Sequence, residues 1–170
     1  MNIYEHHWRA ESPQGIILRQ NIMPQSLSKI YVHCVFSTKN GVPLINETIR
    51  KELHSYIIGT LSKIGSYVNE IYANADHIHI LCVLPRTVTI AELISKIKTS
   101  SSKWMKKQGI NNFSWQDGYG TFSVSSSKVV IVEKYISNQP EHHKTISFKD
   151  EFQAFLNEYN IEYDDRYLWD

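Results

Sequence analysis

Four short stretches of two-residue alternation, interleaved with two stretches of helical period, constrain most of what this chain can fold into. In the first, Ile30, Val32, Cys34 and Phe36 alternate with Tyr31, His33 and Val35, and Gly41-Val42-Pro43 breaks the pattern. Asn46 then stands where an N-cap would, ahead of Ile49, Leu53, Tyr56, Ile57, Leu61 and Ile64 on one helical face, and Gly65 supplies the stop. Two further strands are expected over Tyr67–Ala73 and His77–Leu84, joined around Asn74–Asp76 and closed by Pro85. Thr89-Ile90-Ala91-Glu92 has the form of a capping box and opens a second helix. Ile90, Leu93, Ile94, Ile97 and Trp104 share one face of that helix, with Lys96, Lys103, Lys106 and Lys107 on the other. A fourth strand over Tyr119–Ser125 completes the order strand–helix–strand–strand–helix–strand. That order predicts an α+β fold, a ferredoxin-like (RRM-like) antiparallel sheet with helices on one face.

Beyond the sheet, Val129–Val132 is β-branched, yet Val129, Val132 and Ile136 share a helical face and serines precede them as caps, which predicts a helix. A last helix is expected over Phe148–Tyr159, before an aromatic, acidic tail. At 170 residues, 42% apolar and 21% charged, the chain is long enough for one domain with a real core and excludes a disordered or low-complexity segment. Residues 1–25 lack a sustained period and read as an N-terminal extension in which Met23 is a possible alternative start; residues 26–170 form the single domain. Met1–Gln14 carries no apolar core of a secretory signal, and Ile78–Leu84, the best apolar run, falls far short of the roughly 20 residues of a membrane span. Cys34 and Cys82 lie in alternating apolar stretches, as buried thiols do, which together with the missing signal predicts a reducing cytoplasmic setting.

The net charge of +1 hides a segregation. Between Arg86 and Lys107 stand Arg86, Lys96, Lys98, Lys103, Lys106 and Lys107 against Glu92 alone, whereas from Phe148 onward acids dominate. The basic stretch suits a local anionic partner.

Chemistry concentrates in two places. Asp76-His77-Ile78-His79 puts His77 and His79 on one face of a strand, where two imidazoles can hold one divalent metal; a lone pair of this kind is equally consistent with polar residues on a half-exposed face. Tyr135, Gln139 and His143 are spaced i, i+4, i+8, so one helical face stacks them, with His142 close beside. Tyrosine can act as a covalent nucleophile, but with a free pKa of about 10 its phenol needs a metal or base to help. Pro140 follows Gln139 directly, so the helix is expected to kink or end there.

Taken together, His77-Ile78-His79 and Tyr135-Ile136-Ser137-Asn138-Gln139 resemble the HUH motif and the tyrosine helix of the single-tyrosine insertion-sequence transposases, the TnpA-like family. Val35-Phe36-Ser37-Thr38-Lys39, Trp115-Gln116-Asp117-Gly118-Tyr119-Gly120 and Ile161-Glu162-Tyr163-Asp164 are similar to that family as well, so the resemblance runs from about Pro24 to Trp169. It implies a metal-dependent DNA transposase that cleaves and rejoins single-stranded DNA at insertion-sequence ends through a 5′-phosphotyrosine. The implied roles are Tyr135 as nucleophile, His77, His79 and Gln139 as ligands of Mg²⁺ or Mn²⁺, and hairpin-ended single-stranded DNA as partner. The resemblance further implies a homodimer in which the tyrosine helix of one subunit can complete the histidine pair of the other. Lys96, Lys103, Lys106 and Lys107 could hold the DNA backbone, although a solvated helix face explains any one of them equally well.

Two other classes lack residues they require. A histidine-triad nucleotide hydrolase would carry a third histidine at the next alternate position, which is Leu81 here. A zinc deaminase needs a glutamate two residues after its histidine and a Pro-Cys-x-x-Cys pair, and neither is present. A catalytically inactive or domesticated binding protein for single-stranded or hairpin nucleic acid, on the same fold, stands as the alternative. No Walker-type phosphate loop occurs, which agrees with strand transfer that conserves bond energy and uses no nucleotide.

Overall fold

The computed structural model describes residues 26–166, 168 and 169; the expected extension over residues 1–25 lies outside them. Strands β1 (Tyr31–Ser37), β2 (Val68–Ala73), β3 (His77–Val83) and β4 (Gly120–Val124) form one sheet in the order β2-β3-β1-β4, every neighbouring pair antiparallel. Helices α1 (Glu47–Ser62) and α2 (Ile90–Lys107) fill the two crossovers, which is the predicted ferredoxin-like arrangement. The Asn46 side chain accepts from the Ile49 N–H to start α1, and Thr89 and Glu92 form the expected capping box on α2.

The period-two pattern sorts the sheet into two faces. Val32, Cys34, Phe36, Ile78, Ile80 and Cys82 pack with Leu53, Ile57, Leu61, Leu93 and Ile97 of α1 and α2 in the main core. Cys34 and Cys82 are both free and buried there. The alternate residues turn the other way and are covered by the C-terminal helices α3 (Val129–Ser137), α4 (Gln139–His142) and α5 (Phe148–Glu158).

Two local expectations are corrected. The serines before α3 make no side-chain cap; they form a 3₁₀ turn, Ser126–Lys128, that runs into the helix. The continuous Tyr135–Gln139–His143 helical face is also absent, because α3 ends at Ser137 and α4 restarts at Gln139. Pro140 has no N–H to offer the Ile136 carbonyl, so the helical ladder breaks at Asn138 as the proline predicts. Helix α5 starts cleanly, with the Ser147 hydroxyl accepting from the Asp150 N–H at 3.2 Å. It docks closely: a Cβ on Gly120 would meet the Phe152 ring at 2.6 Å, so only glycine lets α5 lie this near β4.

Candidate active site

His77 and His79 of β3 point to the α3–α5 side, as their spacing requires, and β1 adds His33 across the register pair His33↔Leu81. All three imidazoles are buried. Glu151, also buried, descends from α5 into their midst. Its Oε2 lies 3.2 Å from His143 Nε2, 3.3 Å from His79 Nε2 and 3.9 Å from His77 Nε2. Its Oε1 accepts from the Tyr135 hydroxyl and, at 2.8 Å, from Gln139 Nε2. Nucleophile candidate and histidine pair therefore meet at one carboxylate, within a single chain.

Each histidine is held from behind. His77 Nδ1 donates to Asp76 Oδ1 at 2.6 Å, His143 Nδ1 donates to the Ile146 carbonyl at 2.8 Å, and His79 Nδ1 sits 3.1 Å from His33 Nε2. This is the orienting pattern of metal-ligating imidazoles, one ring nitrogen fixed and the other presented. The His79 Nε2 so presented is buried and makes no hydrogen bond. Burial pushes His79 down to about 4 and His33 down to about 3, so both are neutral near pH 7, the form that ligates or accepts. Burial alone would raise the Glu151 carboxyl, but the adjoining imidazoles of His143 and His79, and next the Tyr135 hydroxyl, hold it well below the usual carboxylate range. Burial, and next its bond to Glu151, pushes the Tyr135 phenol far above its ordinary value. For His143, burial is outweighed by the Glu151 partner and the net shift is upward.

His77, His79, His143 and Glu151 each offer a ligand atom, all within 4.8 Å of one another. Neutral imidazoles, an ionised carboxylate and an unpartnered buried nitrogen form a donor set that fits a divalent metal. Beside it, Tyr135, His142, Ile146, Asp150, Glu151 and Phe155 line a cavity of about 490 Å³. A phosphate entering past Asp150 and Glu151 would need cationic compensation.

The family model for IS200-like transposases matches residues 26–139, two strand–helix–strand halves together with the histidine pair and the tyrosine helix. The chain belongs to that family. Solved structures agree in fold. A candidate transposase from Deinococcus radiodurans R1 superposes with a TM-score of 0.54 at 18% identity, over 69% of this chain and 98% of that one. A REP-associated tyrosine transposase bound to a REP hairpin gives 0.55 at 16% identity, over 73% of this chain and 74% of that one. No protein of curated function matches in sequence. Among the described residues, no helix is long and apolar enough to cross a membrane.

In this transposase the structure brings His77, His79, Tyr135 and Gln139 together. Gln139 faces Glu151 and Asn74, its Oε1 accepting from Asn74 Nδ2 at 3.0 Å. Lys96, Lys103, Lys106 and Lys107 sit apart from this site, on α2 across the sheet, where they line an open cleft of about 520 Å³ with Tyr56 and Trp104. Those two rings stack at 5.3 Å. Lys98, by contrast, is spent internally on the carbonyls of Gln116, Asp117 and Gly118.

Sequence reasoning did not single out Glu151, His33, Asn74 or Asp76 as site residues. His33 was legible in principle, since it alternates against the core set of β1 and must face the same side as His79. Glu151 was not: it is one of 17 acidic residues, on a helix whose docking side the sequence does not reveal.

Proposed function

We propose that this transposase cleaves and rejoins single-stranded DNA through Tyr135, with a divalent metal held at His77 and His79 and with DNA hairpins as its recognised ends. The observation that carries the proposal is the convergence of the Tyr135 hydroxyl and the His77–His79 imidazoles on one buried carboxylate, Glu151. Held by those imidazoles, Mg²⁺ or Mn²⁺ would supply Lewis-acid polarisation of the scissile phosphate. The chain's own groups do the rest. Glu151 Oε1 fixes the Tyr135 O–H, which orients the oxygen for attack on phosphorus. As the Tyr135 O–P bond forms and the P–O3′ bond breaks, the phenolic proton passes to that carboxylate oxygen, and the departing DNA 3′-oxygen takes up a proton, from the protonated Glu151 or from water, to leave as a hydroxyl. The product is a 5′-phosphotyrosine. A DNA 3′-hydroxyl reverses the step with the phenol as leaving group, so no nucleotide is consumed.

Recognition of the DNA is assigned to the opposite layer. Lys96, Lys103, Lys106 and Lys107 surround the half-buried Trp104, a combination of phosphate-binding charge and ring that suits a nucleic-acid backbone and an unpaired base. The hairpin bound to the REP-associated relative supports a stem-loop as that ligand.

The test uses single-stranded oligonucleotides from the DNA flanking the gene, incubated with Mn²⁺ or Mg²⁺ and run on a denaturing gel beside Tyr135→Phe. A metal-dependent, slower-migrating protein–DNA band should form with the wild type and vanish in the variant. Hairpin binding with no covalent band from any flanking strand would favour the inactive, domesticated binding protein instead.

A further inference from the structure

We infer that the metal centre of this chain is a four-donor set, His77, His79, His143 and Glu151, and that it takes a first-row transition-metal dication in preference to Mg²⁺. The inference rests on the proposed reading of His77 and His79 as ligands and changes what completes them: Gln139, expected as the third ligand, becomes a positioning residue.

The argument is an inventory of protons. His77 Nδ1 faces the Asp76 carboxylate, and His143 Nδ1 faces the Ile146 carbonyl. Both partners only accept, so both Nδ1 atoms carry hydrogen and both Nε2 atoms present lone pairs when the rings are neutral. Yet His77 Nε2 and His143 Nε2 are 2.9 Å apart. Two lone pairs at hydrogen-bond distance repel unless a cation, proton or metal, lies between them. A proton can bridge one such pair. It leaves the buried His79 Nε2 without a partner, whereas a dication answers all the facing donors together.

Gln139 is committed elsewhere. It is wholly buried, its Nε2 donates to Glu151 Oε1 at 2.8 Å, and its Oε1 takes Asn74 Nδ2. The Asn74 amide also reaches His77 Nε2 at 2.7 Å and is the contact a metal must displace. Glu151 thereby divides its labour: Oε1 holds Tyr135 and Gln139, and Oε2 is turned to the imidazoles. Three imidazole nitrogens with one carboxylate suit Mn²⁺ through Zn²⁺, while Mg²⁺ prefers oxygen ligands and retained water. His143 and Glu151 both lie beyond residues 26–139, so this completion comes from a segment outside the family match.

The experiment titrates metal-stripped full-length protein with Co²⁺, following visible ligand-field bands and binding heat, with circular dichroism to confirm that each variant is folded. Glu151→Gln, which keeps the side chain's shape, and His143→Ala should each weaken Co²⁺ binding by at least about a hundredfold, and Gln139→Ala, which removes only an orienting partner of Glu151, by about tenfold at most. Mg²⁺ in large excess should leave the bands in place. Loss in Gln139→Ala with none in Glu151→Gln or His143→Ala would overturn the four-donor set, as displacement by Mg²⁺ at comparable concentration would overturn the preference. His77→Ala and His79→Ala separate the two levels. If they alone abolish binding, only this inference fails; if they leave it intact, the metal reading itself falls.

Discussion

On the α1–α2 side of the sheet, Cys34, Phe36, Ile78 and Ile80 are wholly buried among Leu53, Ile57, Leu93 and Ile97. One residue along the same strands, the other side buries His33, His77, His79 and, from α5, Glu151. The two faces are equally dry and are held by different physics. The first mainly removes apolar surface from water and leaves few polar atoms to satisfy, so its contribution to folding is direct. The second carries polar groups into the interior, where each must be paired or else costs free energy. A protein selected for stability alone would have no reason to build the second face. Its presence beside Tyr135 is better explained as buried polarity kept for function.

The largest effect that can break this comparison is on the apolar side. Ile57→Ala in the centre of α1 should cost about 2–5 kcal/mol of stability by urea unfolding, because a fully buried side chain leaves a cavity the core fills only in part. Co²⁺ affinity of the folded variant should be unchanged. A parallel loss of metal affinity would mean the two faces are energetically one unit.

That same contrast explains what could be read from sequence. The apolar face was legible because burial writes itself as period: Ile30 to Phe36, the α1 stripe and the α2 stripe each gave the right element with ends shifted by a residue or two. Local chemistry also showed through, in the Asn46 cap, the Thr89–Glu92 box and the break at Pro140. The polar face was legible only where two residues share a strand or a turn, as His77 and His79 do. Its other members come from β1, α4–α5 and the loop before β3, and no short-range pattern ties them together. His143 illustrates the gap. A continuous helix would have stacked it over Tyr135; the chain instead breaks at Asn138 and returns it by a different route, next to Glu151.

The next effect belongs to the polar side. His33 contributes no ligand atom to the four-donor set, but its ring lies 5.3 Å from that of His79, and its Nε2 faces His79 Nδ1. Kept neutral by burial, it can accept from His79 Nδ1–H and so fix the tautomer that leaves Nε2 free. His33→Phe should lower Co²⁺ affinity by about ten- to a hundredfold, the usual scale for losing an orienting partner. Stability without metal should fall by about 1–3 kcal/mol, since phenylalanine packs against Phe122 and Phe155 but leaves the buried His79 Nδ1–H without its acceptor. Equal affinity in this variant would show that His79 needs no such support.

The smallest effect tests whether a histidine on the apolar side can be told from those on the polar side. His54 of α1 accepts the Ala73 N–H through Nε2 at 2.9 Å, a bond that only the unprotonated nitrogen can make. Burial first, and the neighbouring Arg50 charge second, push it down to about 4. The unfolded chain, with histidine near 6.5, therefore binds the proton first as pH falls. The stabilisation is fully present above about pH 6.5 and is lost as pH drops toward 4, below which both states are protonated. His33 and His79 are shifted in the same direction, so the wild-type protein should lose stability across this window from both faces. His54→Gln keeps an acceptor for Ala73 and removes one titration. The fall in stability between pH 6.5 and 4 should shrink by about 1 kcal/mol, less than the bare shift would give because the ring is only part-buried and water screens it. Co²⁺ affinity at neutral pH should stay at the wild-type value. An unchanged acid slope in urea unfolding would assign all of the acid sensitivity to the polar face.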